Sequence, residues 1–299
     1  MEGSKQLLGH SCALFSAIVW GTTYVVSKIL MSSFSTAEIL LFRFVIAYAC
    51  LWFLSLSQKK DTVMVTKEKS KLDTVLFFGA GLCGLSLYGT FEILSMAYTY
   101  ASNTSVIVST TPFFTGLVSA YILKQSKLKW NFFTGFLVAI IGLLLISFNG
   151  ATEFGLSPKG DLLALAASIF WAFYSMFVKL LADRGYDTIT STRKIYFFGS
   201  ISMALLYPLF GINTDFSRFF NVSNLLSLLY LAVVSSAACF IAFNYATKTL
   251  GNIKSSVYIY TIPVVTIVFS TIFLQERINF KSTLGIALVL FGTVLSSVS

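Results

Sequence analysis

The sequence predicts an all-α integral membrane protein with ten transmembrane helices, arranged as two inverted five-helix repeats. Of the 299 residues, 56% are hydrophobic and only 11% are charged, and the mean hydropathy is +0.82. Soluble domains contain roughly 45–50% apolar residues, so this composition excludes an ordinary soluble domain. Apolar runs of membrane-spanning length follow one another, and the pattern of the first half recurs 151 positions later.

The ten predicted helices leave only short connections between them. A helix crosses a bilayer with about 20 apolar residues. The first run is neither preceded by a strongly basic region nor followed by a small-residue cleavage site, so we expect a retained helix rather than a signal peptide. The predicted spans are Ser11–Met31, Thr36–Leu56, Thr74–Thr99, Thr104–Leu123, Trp130–Phe148, Leu162–Ala182, Thr192–Phe210, Leu225–Ala246, Ser255–Leu274 and Lys281–Val298.

Lysine and arginine are distributed unevenly between the two sets of connections. The set on the side of the amino terminus contains eleven of them and the other set contains four. Because cytoplasmic connections are richer in these residues, we expect a protein of the inner or plasma membrane with both termini in the cytoplasm. The same distribution explains the formal net charge of +9 and argues against a nucleic-acid partner. The eleven are Lys5, Lys59, Lys60, Lys67, Lys69, Lys71, Lys124, Lys127, Lys129, Arg184 and Lys248, and the four are Lys159, Arg218, Arg277 and Lys281.

An internal repeat extends over the whole chain. The stretch IVWGTTYVVSK, residues 18–28, has a counterpart IFWAFYSMFVK at residues 169–179, with Ile, Trp and Lys in the same places. Five helices per copy is an odd number, so the second copy must enter the membrane in the opposite sense. We therefore predict two repeats, residues 1–150 and 151–299, that together form one transmembrane domain. Further matched pairs are Gly9/Gly160, Arg43/Lys194, Ser105/Ser256, Pro112/Pro263 and Leu123/Leu274.

Three stretches of the sequence resemble a known family. They are WGTTYVVSK…FRF in helices one and two, AYTYASNTSVIVSTTPFFTGLVSAYIL in helices three and four, and KTLGNIKSSVYIYTIPVVTIVFSTIFLQE in helices eight and nine. With them the chain resembles, over essentially its whole length, the EamA-type drug/metabolite transporters, ten-helix proteins built from two five-helix repeats. The Gly-Glu common in that family after helix nine, and often echoed after helix four, reads Gln275-Glu276 and Lys124-Gln125 here.

The resemblance implies a function. It implies a secondary transporter that exports a small metabolite, such as an amino acid, across the cytoplasmic membrane by alternating access. More distant relatives carry sugar phosphates or nucleotide sugars, so the alternative is a transporter of a phosphorylated or nucleotide-linked solute. The expected partners are a small-molecule substrate and the lipid bilayer.

An intramembrane enzyme is the alternative from a different class. The chain has a single histidine, His10, no H-E-x-x-H motif and no paired intramembrane aspartates, so an activated catalytic group is missing and we expect no enzyme activity. It also has no C-x-x-C pair and no phosphate-binding G-x-x-x-x-G-K-[ST] loop. We therefore expect no metal and no cofactor, and no direct use of ATP.

Aromatic residues deep in two helices are candidates for the solute path. Trp20 and Tyr24 are four residues apart and share a helix face, and in the second copy Trp171 shares a face with Tyr174 and Ser175. Each tryptophan is roughly ten residues from either end of its span, too deep for the interfacial aromatic belt. Either these rings make ordinary helix contacts, or they line a central cavity where they bind apolar or cationic solutes. We predict that all five residues bind substrate.

Glu92 is the only acidic residue predicted to lie deep within a span, and Tyr88 is one helical turn away. An ionisable group at this depth is costly and indicates function. Three roles are open. Glu92 either exchanges a proton during transport, binds an ammonium group on the solute, or forms a structural ion pair with Arg43 or Lys28. We place both Glu92 and Tyr88 in the substrate site.

Helices four, eight and nine contain further candidates. Asn244 offers both a donor and an acceptor, to a solute or to another helix, and Tyr258 completes the predicted substrate-binding residues. Pro112 and Pro263 occupy matched places about nine residues into their helices, where each removes a backbone hydrogen bond and predicts a kink. In a two-fold repeat, matched interruptions indicate either the binding site or the helices that bend around it, although a static kink would look the same.

Small residues and a capping pattern predict helix packing and the start of a helix rather than solute binding. Gly135 and Gly142, like Gly285 and Gly292, are seven residues apart, so helices five and ten can approach a neighbour closely, either within the chain or in a homodimer. Ser35-x-x-Glu38 has capping-box spacing at the start of helix two, so we expect Glu38 to cap that helix rather than bind solute.

Overall fold

A computed structural model describes residues 2–56, 71–124, 128–147, 158–206, 208, 215, 217–275 and 280–297. These residues form helices and the turns between them, with no strand among them. The predicted all-α fold is confirmed. Most of the predicted basic connection after the second helix lies outside the described residues, as do Arg277 and the ends of the predicted spans at Phe148, Phe210 and Val298.

The described residues form ten consecutive helical segments, in agreement with the ten predicted spans. Six of them, α1, α2, α3, α6, α8 and α9, are long and apolar enough to cross a membrane by length and composition. The helices are α1 (Glu2–Leu30), α2 (Thr36–Leu56), α3 (Lys71–Tyr98), α4 (Ala101–Val108 and Thr111–Tyr121), α5 (Trp130–Ser147), α6 (Pro158–Asp183), α7 (Thr188–Leu206), α8 (Val222–Leu250), α9 (Asn252–Phe273) and α10 (Phe280–Ser297). Helix α1 begins well before the predicted Ser11, and α7 begins at Thr188 rather than Thr192.

Helices α4 and α9 are interrupted where the matched prolines lie. In α4 the helix breaks after Val108 and resumes at Thr111, with Pro112 in its first turn. The Thr111 hydroxyl donates to the Val108 carbonyl at 2.6 Å, so it satisfies the acceptor that a proline nitrogen cannot reach. In α9 a 3₁₀ turn, Val257–Thr261, precedes Pro263. Both prolines therefore lie at changes of helical geometry.

Helices α3 and α8 each contain a π-helical turn, which the sequence did not predict. The turns are Leu82–Leu87 and Tyr230–Ala238, and they overlap when the repeat offset is applied. A π turn shifts the following side chains around the helix axis and is common at functional sites. Tyr88 and Glu92 follow the first of these turns directly.

The packing of the helices is symmetric under exchange of the two repeats. Helix α1 packs against α8 and α9, just as α6 packs against α3 and α4, while α2 packs against α7 and α5 against α10. The division into residues 1–150 and 151–299 stays a prediction, and its boundary lies among residues 148–157, outside the described ones.

Two glycines allow close contact between helix backbones. A Cβ atom at Gly81 in α3 would lie 2.6 Å from the backbone nitrogen of Gly199 in α7. A Cβ atom at Gly292 in α10 would lie 2.6 Å from the carbonyl oxygen of Gly135 in α5. The predicted small-residue contact is thus made between α5 and α10 of one chain, and a homodimer stays a prediction.

An ion pair joins the two repeats at the start of α2. Arg218, in the connection before α8, donates to both carboxylate oxygens of Glu38 at 3.0 and 3.1 Å. Glu38 also accepts from the Ser35 backbone nitrogen at 2.8 Å, and the Ser35 hydroxyl accepts from the Glu38 nitrogen at 3.3 Å. The predicted capping box is confirmed, and its carboxylate has this second role.

A second ion pair joins the repeats at the other end of α2. Arg184 donates to Asp73 at 2.6 Å, and the Tyr186 hydroxyl donates to the other Asp73 oxygen at 2.8 Å. Burial, the hydrogen bond to Asp73 and the charge of that carboxylate raise the pKa of the Tyr186 phenol to about 12, so it remains a donor. Arg193, in the second turn of α7, donates to Ser55 near the end of α2 at 2.7 Å. The start of α7 therefore lies at the end of α2 opposite Glu38, and so does the Asp73–Arg184 pair that precedes it.

Candidate functional site

A small cavity lies among α1, α2, α3, α6 and α8, between the two repeats. Its volume is about 20 Å³, enough for one water molecule but not for an organic solute. The helices must therefore move apart before a solute can occupy it. The residues that line it are Trp20, Thr23, Tyr24, Arg43, Tyr88, Glu92, Trp171 and Phe240.

The two matched tryptophans meet at this cavity. Their ring centroids are 5.1 Å apart in an edge-to-face arrangement, and Phe240 contacts both rings at 5.5 and 5.7 Å. The indole nitrogen of Trp20 donates to the Ser235 carbonyl at 3.0 Å, whereas the buried indole nitrogen of Trp171 has no hydrogen-bond partner. The repeat thus provides two similar rings, of which only Trp171 has an unused donor.

Glu92 lies in the same cavity with two tyrosines. The Tyr88 hydroxyl donates to the Glu92 carboxylate across one turn of α3. The Tyr24 hydroxyl is buried beside this pair, close to both Tyr88 and Glu92. The Tyr88 ring also contacts Trp171, with 4.7 Å between centroids. Glu92 is 8% exposed, so its carboxylate is directed into the cavity rather than toward lipid or bulk water.

Arg43 supplies the positive charge of the cavity. Its Nε donates to the Ser236 hydroxyl at 2.5 Å and its Nη2 to the Ser235 hydroxyl at 3.2 Å. No salt bridge joins Arg43 to Glu92, although both line the cavity. A buried carboxylate and a buried guanidinium therefore face one space, each hydrogen-bonded to neutral groups of the protein.

The structural ion-pair role of Glu92 stays a hypothesis, since Arg43 acts on the carboxylate electrostatically but makes no direct salt bridge with it. Lys28, the other cation considered, donates to the Met96 and Thr99 carbonyls at 2.5 and 3.1 Å, at the carboxyl end of α3. Such contacts are favourable for a lysine because helix carboxyl ends are partly negative.

Four predicted substrate-binding residues lie outside the cavity lining. The Tyr174 hydroxyl donates to Asn244 at 2.7 Å, and these two residues lie behind Trp171. Ser175 is buried and its hydroxyl has no partner. Tyr258 is hydrogen-bonded to His10 at 2.8 Å, between α1 and α9.

Three residues of the lining were not among the predicted site residues. Arg43 was considered as an ion-pair partner of Glu92, and its depth in α2 is the signal that could have placed it in the site. Thr23 and Phe240 gave no comparable signal, since the chain has 30 phenylalanines and many hydroxyls.

No group of three or more His, Cys, Asp or Glu side chains that could bind a metal occurs in the part of the chain that the structure describes. The four cysteines, Cys12, Cys50, Cys83 and Cys239, are free thiols.

Comparisons with known proteins agree with this architecture. The chain is 24% identical to an uncharacterized transporter of Archaeoglobus fulgidus over 96% of each chain. It is 25% identical to the uncharacterized transporter YetK of Bacillus subtilis, over 96% of this chain and 86% of YetK, and 25% identical to the uncharacterized inner membrane transporter YedA of Escherichia coli, over 97% and 91%. A crystal structure 18% identical in sequence superposes with a TM-score of 0.72 over 99% of this chain and 97% of its own, which shows a common fold.

The match to a protein family covers nearly the whole chain. The model of the EamA-like transporter family matches residues 7–148 and again residues 158–298. The two matched segments correspond to the two copies of the sequence pattern. The resemblance inferred from the sequence is confirmed. This multi-pass membrane protein is a transporter and belongs to the EamA-like transporter family.

Proposed function

We propose that the protein is a secondary transporter that exports a zwitterionic amino acid across the cytoplasmic membrane, with the solute bound between Trp20 and Trp171. The observation behind this proposal is that Arg43 and Glu92 line one cavity without pairing with each other. An amino acid has an ammonium group for Glu92 and a carboxylate group for Arg43. Charge-assisted hydrogen bonds of this kind are among the strongest in proteins.

The rest of the lining suits the same solute. The rings of Trp20, Trp171 and Phe240 provide apolar and aromatic contact area for a side chain. The unused Trp171 N–H adds a donor for the carboxylate. The export direction rests on the resemblance to exporting members of the superfamily.

A phosphorylated or nucleotide-linked solute fits this lining less well. Arg43 is the only basic residue among the residues that line the cavity, and the Glu92 carboxylate would repel a phosphate group. Several basic residues facing the solute are expected for such a substrate.

Glu92→Gln and Arg43→Gln are expected to lose recognition of opposite ends of the solute. The assay is efflux of the standard amino acids from loaded proteoliposomes, with and without a pH gradient. Each variant should lower transport about tenfold or more, since a hydrogen bond to a charged group is worth about 1.5–3 kcal/mol. Glu92→Gln should also lose the preference for a free ammonium group over an N-acetyl group, and Arg43→Gln the preference for a carboxylate over an amide.

These preferences separate binding from a structural role. A variant that is only less stable transports all analogues less well and keeps both preferences, and that result would contradict the proposal. A titrating role of Glu92 would show as a response to the pH gradient that Glu92→Gln loses.

We further propose that both termini lie in the cytoplasm, as the distribution of basic residues predicts. Leu72 is exposed at the start of α3, and Asp215 is exposed near Arg218 at the other end of the bundle. Leu72→Cys should react with a membrane-impermeant thiol reagent only from the cytoplasmic side, and Asp215→Cys only from outside. The reverse pattern would invert the orientation, and reaction of both from one side would show that one helix between them does not cross.

A further inference from the structure

A second cavity lies at the end of the bundle where Asp73 pairs with Arg184. It is formed by the end of α6, the start of α7 and the end of α8, and it holds about 10 Å³. Among its lining residues are Tyr186, Thr188, Ser191, Asn244 and Lys248. With the orientation proposed above, it opens toward the cytoplasm.

A thin layer of side chains separates the two cavities. Asn244 lines the second cavity, and its side-chain oxygen accepts from the Tyr174 hydroxyl at 2.7 Å. The Tyr174 ring lies 5.0 Å from the ring of Trp171, which lines the central cavity. A solute that leaves one cavity through this layer therefore enters the other, once Tyr174 and Asn244 move.

The second cavity contains donors that are suited to an anion. The Ser191 hydroxyl lines it, and this residue is only 8% exposed and has no hydrogen-bond partner. Ser191 is in the first turn of the 19-residue helix α7, where the partial positive charge of a helix amino terminus favours anions. Lys248 at the rim donates to the Tyr186 carbonyl at 3.2 Å, which leaves other ammonium hydrogens for a ligand.

Among the neighbouring charges, Lys248 is the cation that gives this cavity its positive character. Arg184 is neutralised by Asp73. The Asp187 carboxylate accepts from the Thr190 backbone nitrogen at 3.0 Å, as a helix cap does, and its charge offsets the partial positive charge at the start of α7. The Lys194 ammonium lies 5.1 Å from the centre of the Tyr186 ring.

We infer that the second cavity, once the helices around it move apart as those around the central cavity must, is a binding station for the carboxylate of the solute, between the cytoplasm and the central cavity. The identity of the solute rests on the proposed function, whereas the preference for anions is a property of the cavity itself. Lys248 attracts the carboxylate, and Ser191 donates to it. Separation of Tyr174 from Asn244 then admits the solute to Trp171 and Arg43.

Charge-selective labelling of Thr188→Cys tests this preference without a known solute. The half-buried Thr188 lines the cavity and begins α7. The probes are two methanethiosulfonates, one with a sulfonate and one with a trimethylammonium group, and each rate is divided by the rate with free cysteine in the same buffer. The protein without the new cysteine gives the background of the native thiols. We expect the normalised rate to favour the sulfonate reagent about tenfold at low salt, as one nearby unpaired charge predicts.

Three further variants identify the side chains that cause the preference. Lys248→Gln in the same background should abolish the preference, whereas Lys254→Gln, which removes another exposed lysine that does not line the cavity, should not. Ser191→Ala should slow the sulfonate reagent and leave the cationic one unchanged. Equal rates for both reagents, equal effects of the two lysine variants, or no labelling at Thr188→Cys would each overturn the inference. A preference for the sulfonate in a protein that transports no amino acid would refute the proposed substrate and leave the anion station intact.

Discussion

Glu38→Gln is expected to lower the free energy of unfolding by about 3 kcal/mol, because it removes the buried carboxylate that pairs with both nitrogens of the partly buried Arg218 guanidinium. The Glu38 side chain is 1% exposed and that of Arg218 is 16% exposed. Glutamine keeps the shape but replaces one acceptor oxygen with an NH₂ group that faces another donor. Unfolding in detergent is measured by heating samples to increasing temperatures. The fraction of protein that remains monodisperse is then determined by size-exclusion chromatography.

A matched control is available in the exposed pair Lys179–Asp183. Asp183→Asn removes a carboxylate that is 45% exposed, and such pairs on a helix contribute about 0.5 kcal/mol or less. The double variant Glu38→Gln/Arg218→Gln should recover part of the loss. Recovery should be incomplete, because Arg218 also lies over the Phe34 ring and donates to the Ser33 carbonyl at 2.8 Å. Equal effects of Glu38→Gln and Asp183→Asn would contradict this account of the pair.

Gly81→Ala is expected to destabilise the protein by about 3 kcal/mol, at the upper end of the usual cost of overpacking. The new Cβ atom would lie 2.6 Å from the Gly199 nitrogen and 2.8 Å from the Ile195 carbonyl oxygen. Both are backbone atoms of α7, so the clash is relieved only if α3 and α7 separate. The same unfolding assay measures the effect.

Gly89→Ala in the same helix is the control. Its Cβ atom would lie 3.1 Å from a terminal carbon of Leu40 and 3.2 Å from the end of the Phe44 ring, and side-chain ends can move by a few tenths of an ångström. Alanine also favours the helix over glycine by about 1 kcal/mol, so the net change should be small. If Gly81→Ala is as stable as Gly89→Ala, the contact between α3 and α7 is looser than the structure shows.

The sequence predicts features that depend on one helix or on the repeat. The hydrogen bond between Tyr88 and Glu92 follows from a spacing of four residues. The contact between Trp20 and Trp171 agrees with their matched positions in two symmetric copies.

Features that depend on which helices become neighbours are not predictable in this way. The serines that hold Arg43 are more than 190 residues away in the chain, so spacing contains no information about them. The unpredicted π turns in α3 and α8 further change which side chains face the interior, because they depart from the 3.6-residue period. Tyr174 was predicted to bind substrate because it shares a helix face with Trp171, and Asn244 because it offers a donor and an acceptor. The hydrogen bond between these two residues could not be predicted from their spacing.

The two ion pairs between the repeats, Glu38–Arg218 at one end and Asp73–Arg184 at the other, are both formed in this conformation. Under the alternating access that the resemblance implies, we expect opening toward one side of the membrane to break one pair and preserve the other. The ratio of the two open populations then depends on the difference between the free energies of the pairs, not on their sum. Weakening one pair by about 1.4 kcal/mol would raise the population open at that end about tenfold relative to the other. The resting orientation of the transporter is thus adjustable at two surface-proximal arginines, and its bias could be reversed without altering any residue that faces the solute.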